Sequence, residues 1–270
     1  MKYNKNIRKR ININIKDYKE YSENYSSIEI EIKKVNNKYG QFINYKKEDE
    51  KYYHIYFNNN KKEINRDFLI DSEKIEKIKI IIDYQVKSFN NLFSNCNYIK
   101  SISFKKFFRN NINNMSYMFW GCSSLKEINH SNFNTSNVTD MSNMFSHCRS
   151  LKELNLSNFN TNNVRDMRSM FNGCSSLEEL NLSKFNTNNV RDMSYVFYKC
   201  SSLKKLDLSN FNTNNVTNMS SMFGGCSSLK ELNLSNFNNN NETEMKDMFS
   251  GCSDQLIKKI KAQYKNLKKI

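Results

Sequence analysis

The sequence predicts an α/β repeat solenoid: a right-handed coil with a parallel strand ladder and short helices, a β-rich N-terminal cap and a C-terminal capping helix. Three observations predict it. Cys96, Cys122, Cys148, Cys174, Cys200, Cys226 and Cys252 stand 26 residues apart, and a fixed period of about 20–50 residues marks a stacked repeat. Within each period the apolar spacing changes from two to three and four, a strand followed by a helical face. A 26-residue unit is too small to bury a core alone, so neighbours must stack.

In chain order, residues 1–85 read as a β-rich N-terminal cap or small domain. ININIK (11–16), IEIEIKKV (28–35) and YYHIYF (52–57) alternate apolar with polar side chains, and Asn58, Asn59 and Asn60 read as a hairpin turn. IEKIKIIID (75–83) has the alternation of a strand able to begin the ladder.

Residues 86–253 read as the repeat array. Val86, Phe89, Leu92 and Phe93 form the helical stripe leading into Cys96. From Cys174 onward, Leu177, Leu180 and Leu182 supply a strand, and Phe185 follows. Val190, Met193, Val196, Phe197 and Cys200 then fall at steps that share one helical face. Asp140, Asp166 and Asp192 suit helix starts. Gly121, Gly173, Gly225 and Gly251 suit helix stops, with His147 and Lys199 at the same position in other units. The L-x-x-L-x-L strand segment fits a leucine-rich-repeat-like coil.

The stretch from Phe185 to Phe223, FNTNNVRDMSYVFYKCSSLKKLDLSNFNTNNVTNMSSMF, resembles the BspA-type leucine-rich repeat family in its 26-residue, mycoplasma-lipoprotein-associated branch. The resemblance spans about residues 86–253. It implies a solenoid without catalytic residues, often on cell surfaces and linked to adhesion or protein binding.

Residues 254–270 read as a basic amphipathic capping helix. Leu256, Ile260, Tyr264 and Leu267 recur at helical spacing, and Ser253 or Asp254 suits its start. Lys258, Lys259, Lys261, Lys265 and Lys268 occupy the opposite face. The alternative for this segment is a basic anchor for anionic lipid or nucleic acid.

Net charge is +15, which favours polyanions or solubility. Asparagine fills 47 positions and proline none. No apolar run approaches the roughly 20 residues that span a bilayer, and no secretory signal is read at MKYNKNIRKR. A cytoplasmic location with reduced thiols is therefore expected, while the family resemblance implies a cell surface.

The cysteines read as small core hydrophobes. Ligands 26 residues apart form a line and not a tetrahedral cage, so no metal, cofactor or catalytic residue is expected. His130 is anomalous, because it takes the place of a buried leucine. Two surfaces remain as binding candidates. The strand face carries Glu127, Asn129, Glu153, Asn155, Glu179, Asn181, Lys205, Asp207, Glu231 and Asn233. The helical edge carries Trp120, Arg165, Arg168, Arg191, Tyr195 and Tyr198, residue types common among binding anchors. The functional expectation is a monomeric, non-catalytic protein-interaction module. Its alternative is a nucleic-acid or anionic-membrane binder acting through the basic ends.

Overall fold

Alternating isoleucines in Ile28–Lys34 form strand β1 and bury Ile28, Ile30 and Ile32 on one face. The computed structural model describes residues 26–71, 73–238 and 243–264; the expected strand over 11–16 lies outside them. Strands β2 (Gly40–Gln41), β3 (Tyr53–Phe57), β4 (Phe68–Leu69), β5 (Lys77–Ile82) and β6 (Ile99–Lys106) follow. The chain then adds β7 (Glu127–Asn129), β8 (Glu153–Asn155), β9 (Glu179–Asn181), β10 (Lys205–Asp207) and β11 (Glu231–Asn233). Helix α1 spans Asp254–Gln263.

The fold is a repeat fold, mostly strand and turn, with a sheet that mixes both pairing senses. Its largest sheet runs β3-β5-β1-β6-β7. β1 lies antiparallel to β5 and β6, whereas β6 and β7 are parallel. β6 is thus both the last antiparallel partner and the first parallel rung. The expectation that 75–83 begins the ladder is corrected: β5 sits between β1 and β3, and the ladder starts at β6. The asparagine turn does form, with Asn60 N–H on the Phe57 carbonyl at 2.9 Å. The chain after it touches β3 once, through Ile64 N–H on Ile55 O at 2.9 Å, and the strand that pairs with β3 is β5, so no two-stranded hairpin results.

The largest correction concerns the short helices. Each predicted helix is instead a run of turns with lateral hydrogen bonds. Met167, Ser169, Phe171 and Gly173 donate to Asp192, Ser194, Val196 and Tyr198 carbonyls of the next unit. Met170, Asn172 and Cys174 donate back three residues, and Arg168 N–H is taken by Asp166 Oδ1 at 3.0 Å. Every amide from 167 to 174 is therefore satisfied without an i→i−4 bond. Left-handed residues at four-residue steps, such as Ser169 (φ 54°) and Gly173 (φ 70°), break any α-helix. Asp140, Asp166 and Asp192 do not start helices. They accept the amide two residues on in Asx turns.

This turn ladder is continuous, with parallel bridges linking Ser88, Asn114, Asp140, Asp166, Asp192, Asn218 and Glu244 in turn. The strand ladder is not. Among the described residues β6–β7, β8–β9 and β10–β11 pair, while β7–β8 and β9–β10 do not. Between the two ladders lies the core. One phenylalanine from each unit stacks in a column from Phe93 through Phe119, Phe145, Phe171, Phe197 and Phe223 to Phe249, with centroids 5.3–5.8 Å apart. Buried Thr135, Thr161, Thr187 and Thr213 make a polar column beside it. Each hydroxyl donates to one asparagine carbonyl of the next unit and accepts that residue's N–H.

Both ends are covered. Asn44 supplies what a preceding unit would: its N–H meets Leu92 O at 2.7 Å and its side-chain amide meets Ser94 O at 2.8 Å. Buried Arg109 donates to Asp83 O and lies 5.9 Å from the Tyr84 ring centroid, fastening β5 to the array. At the far end, Ser253 Oγ caps α1 by accepting Leu256 N–H at 3.3 Å. Leu256 and Ile260 are buried there, and Tyr264 Oη accepts Leu234 N–H. Lys265, Leu267 and Lys268 lie outside the described residues.

Candidate functional site

On the strand face, the pleat turns Glu127, Glu153, Glu179, Lys205 and Glu231 to solvent, with Leu154, Leu206 and Leu232 buried between the exposed positions. The second row is occupied structurally. Asn129, Asn155, Asn181, Asp207 and Asn233 each accept, through Oδ1, the serine N–H two residues on at 2.9–3.2 Å. These side chains shape the turn that leaves each strand. Asn233 is also half covered by α1. Lys205 pairs with Glu231 at 3.0 Å and Lys204 with Glu178 at 3.3 Å, so charge on this face is partly neutralised along the ladder.

The turn edge gathers a tighter cluster. Arg165 and Arg191 are exposed at equivalent positions of adjacent units, joined by Arg191 N–H to Arg165 O at 3.0 Å. Arg168 reaches Asp166 at 3.2 Å. Burial, helped by the flanking Asp140 and Asp192, raises the Asp166 carboxyl above its usual range despite the Arg168 amide and guanidinium. Tyr195 is 42% exposed and left-handed at φ 58°. A bulky residue is costly in that region. Equivalent positions elsewhere hold Asn91, Asn143, Ser169, Ser221 and Asp247, with Tyr117 the other aromatic. Tyr198 meets Tyr195 edge-on at 5.4 Å, and Lys199 lies over Tyr198. Trp120 stands two units from Arg168, edge-on to His147 at 6.1 Å, and does not join this cluster.

The cysteine column lies inside. Cys96 to Cys226 are buried and Cys252 is half-buried, all as free thiols. From Cys122 onward each Sγ–H donates to the carbonyl of a phenylalanine one rung back, at 3.0–3.2 Å. Burial pushes the thiols of Cys122 and Cys174 up to about 12 and that of Cys252 to about 11. Nucleophilic attack requires the thiolate. Thiol counting should therefore find seven reactive groups in denaturant. The native chain should show at most one fast-reacting group, assigned to Cys252 and lost in Cys252→Ser.

His130 borders the unpaired β7–β8 gap, where an open cavity of about 490 Å³ includes Ile128, Glu153 and Leu154 in its wall. Burial lowers its pKa, and its ring packs edge-on to Phe159 at 5.3 Å. Among the described residues, no group of three or more His, Cys, Asp or Glu side chains is placed to hold a metal ion. Among them, no helix is long and apolar enough to cross a membrane.

Two features went unread in the sequence. The threonine column was visible as a 26-residue recurrence of Thr135, Thr161, Thr187 and Thr213. Asn44 had no signal, because its partners lie 47–50 residues away.

A family model described as Mycoplasma protein of unknown function, DUF285, matches the chain twice, over residues 87–180 and 152–264. No curated protein matches it.

Proposed function

The chain belongs to the mycoplasma protein family of unknown function DUF285, and on that premise we propose that it is a non-catalytic protein-interaction module. In this reading the array is a right-handed, leucine-rich-repeat-like solenoid of the BspA type, which presents one edge to a partner protein. The observation that carries it is Tyr195, an aromatic side chain held left-handed and exposed where most other units use small polar residues. Strain kept at a surface position points to use there, and the neighbouring Arg165, Arg191 and Tyr198 are of the types that anchor interfaces.

The sequence itself supplies a variant that respects the fold. Thr139 and Thr217 replace arginine, and Ser169 and Ser221 replace tyrosine, at equivalent positions. In the combined variant Arg165→Thr, Arg191→Thr and Tyr195→Ser, capture of a defined protein partner should fall at least tenfold with unchanged thermal stability. The strand-face variant Glu153→Gln, Glu179→Gln should retain capture. If both variants bind as the wild type does, neither face is the interface.

The second reading is a polyanion binder. It is favoured by Lys258, Lys259 and Lys261, all exposed on α1 opposite Leu256 and Ile260. Binding that is steeply salt-dependent and lost on replacing these three lysines by glutamine, but indifferent to the turn-edge variant, would favour it.

A further inference from the structure

A crevice opens where the N-terminal sheet meets the first units of the array. Its volume is about 400 Å³, within the range of small-ligand sites. Lys34, at the end of β1, lies on one side, with Asn36 in the turn that follows. Lys100 and Lys126 line the other with Ser124 and Ser150; the Ser150 hydroxyl donates to Ser123 O at 2.6 Å, which leaves the Ser124 O–H as the hydroxyl donor. Lys38 reaches over the rim and donates to Ser124 Oγ at 3.2 Å. No carboxylate lines the space.

The backbone fixes this convergence. Lys34 pairs with Ile99 in the β1–β6 ladder, and Val35 N–H meets Tyr98 O at 2.7 Å. The turn after β1, left-handed at Asn37 (φ 55°), therefore overhangs the first units. Lys100 and Lys126 occupy equivalent positions of adjacent units, joined by Lys126 N–H to Lys100 O at 2.9 Å. Their backbones are thus about 4.8 Å apart, and their side chains leave on the same side. Further along, the same position meets an acid: Lys204 pairs with Glu178 at 3.3 Å. Lys34, Lys38, Lys100 and Lys126 have no ion-pair partner among the described residues. Lys34 has only the Tyr39 ring, 5.2 Å away.

Four lysines around a crevice without carboxylates concentrate positive potential there. Ammonium groups joined by hydroxyl and amide donors are the chemistry that holds phosphate-type oxyanions. We propose that this crevice binds a multiply charged oxyanion of the phosphate class, either free or as a headgroup at a membrane surface. It is separate from the turn edge and does not depend on the interaction reading given there.

The test is calorimetric titration of the full chain with inorganic pyrophosphate at low salt. One site per chain is expected. The variant Lys100→Gln, Lys126→Gln should weaken it at least tenfold. The variant Lys152→Gln, Lys230→Gln removes the same charge from equivalent positions of later units and should stay within twofold. All replaced lysines are exposed, so matching thermal midpoints verify folding. In a second arm, vesicles containing phosphatidic acid are sedimented with each protein. Sedimentation that pyrophosphate displaces and the Lys100, Lys126 variant lacks identifies a headgroup as the source. Pyrophosphate binding without sedimentation identifies a free oxyanion. Absence of pyrophosphate binding by the wild type, or equal loss in both variants, overturns the site.

Discussion

Phe171→Ala is expected to destabilise the chain by about 3–5 kcal/mol, the range for emptying an aromatic core position. Phe171 is 1% exposed and stacks between Phe145 at 5.8 Å and Phe197 at 5.7 Å. Each unit is held by its neighbours, so the loss falls on two interfaces at once. Unfolding in urea should therefore change shape as well as midpoint. Trp120, the single tryptophan, reports the units that precede Phe171, whereas far-UV circular dichroism reports the whole chain. The two transitions should coincide in the wild type and separate in the variant, the failure of two-state behaviour expected when units uncouple. Coincident transitions at an unchanged midpoint would show that the column does not couple the units.

Thr187→Val tests the polar column, because it keeps shape and removes only the hydroxyl. Thr187 Oγ1 donates to Asn212 O at 2.8 Å and accepts Asn212 N–H at 2.8 Å. Valine leaves both backbone groups without that partner, at a cost of about 1–3 kcal/mol. Thr187→Ser, which keeps the oxygen, should lose clearly less. Hydrogen exchange at the Asn212 amide gives a local readout. Exchange should accelerate in the valine variant by more than the global loss of stability explains, and should stay near wild type in the serine variant.

The repeat was legible because its core positions recur. Leu177, Leu182, Phe185, Val190, Met193, Phe197 and Cys200 all proved buried. What the apolar spacing failed to separate was a helix from a turn ladder, since steps of three and four bury the same residues in both. The distinguishing signal lay in the backbone. Asn95, His147 and Lys199 share the left-handed position of Gly121 and Gly173, and a second such position precedes it by four residues. Only the glycines announced it. In the N-terminal region the alternation of Ile28, Ile30 and Ile32 gave the strand, but its partners β5 and β6 begin 49 and 71 residues later. Pairing at such separations leaves no local trace. The two candidate surfaces divided similarly. Exposure of Glu153 and Arg165 followed from period, whereas the capture of Asn155 by its own turn needed coordinates. The lysine crevice was half periodic, through Lys100 and Lys126, and half not, through Lys34.

The unequal bonding of the two ladders gives the molecule a mechanical grain. Bending that spreads the strand side at the β7–β8 and β9–β10 gaps breaks no strand-to-strand backbone bond and is resisted only through side chains, such as Asn158 Nδ2 on His130 O at 2.7 Å and Lys204 on Glu178 at 3.3 Å. Bending the opposite way must stretch a lateral hydrogen bond at alternate residues of every turn. The array therefore behaves as leaves bound along one margin and clipped in pairs along the other. Its soft direction is set by backbone chemistry, and a ligand that wedges into the strand-side gaps meets the least resistance.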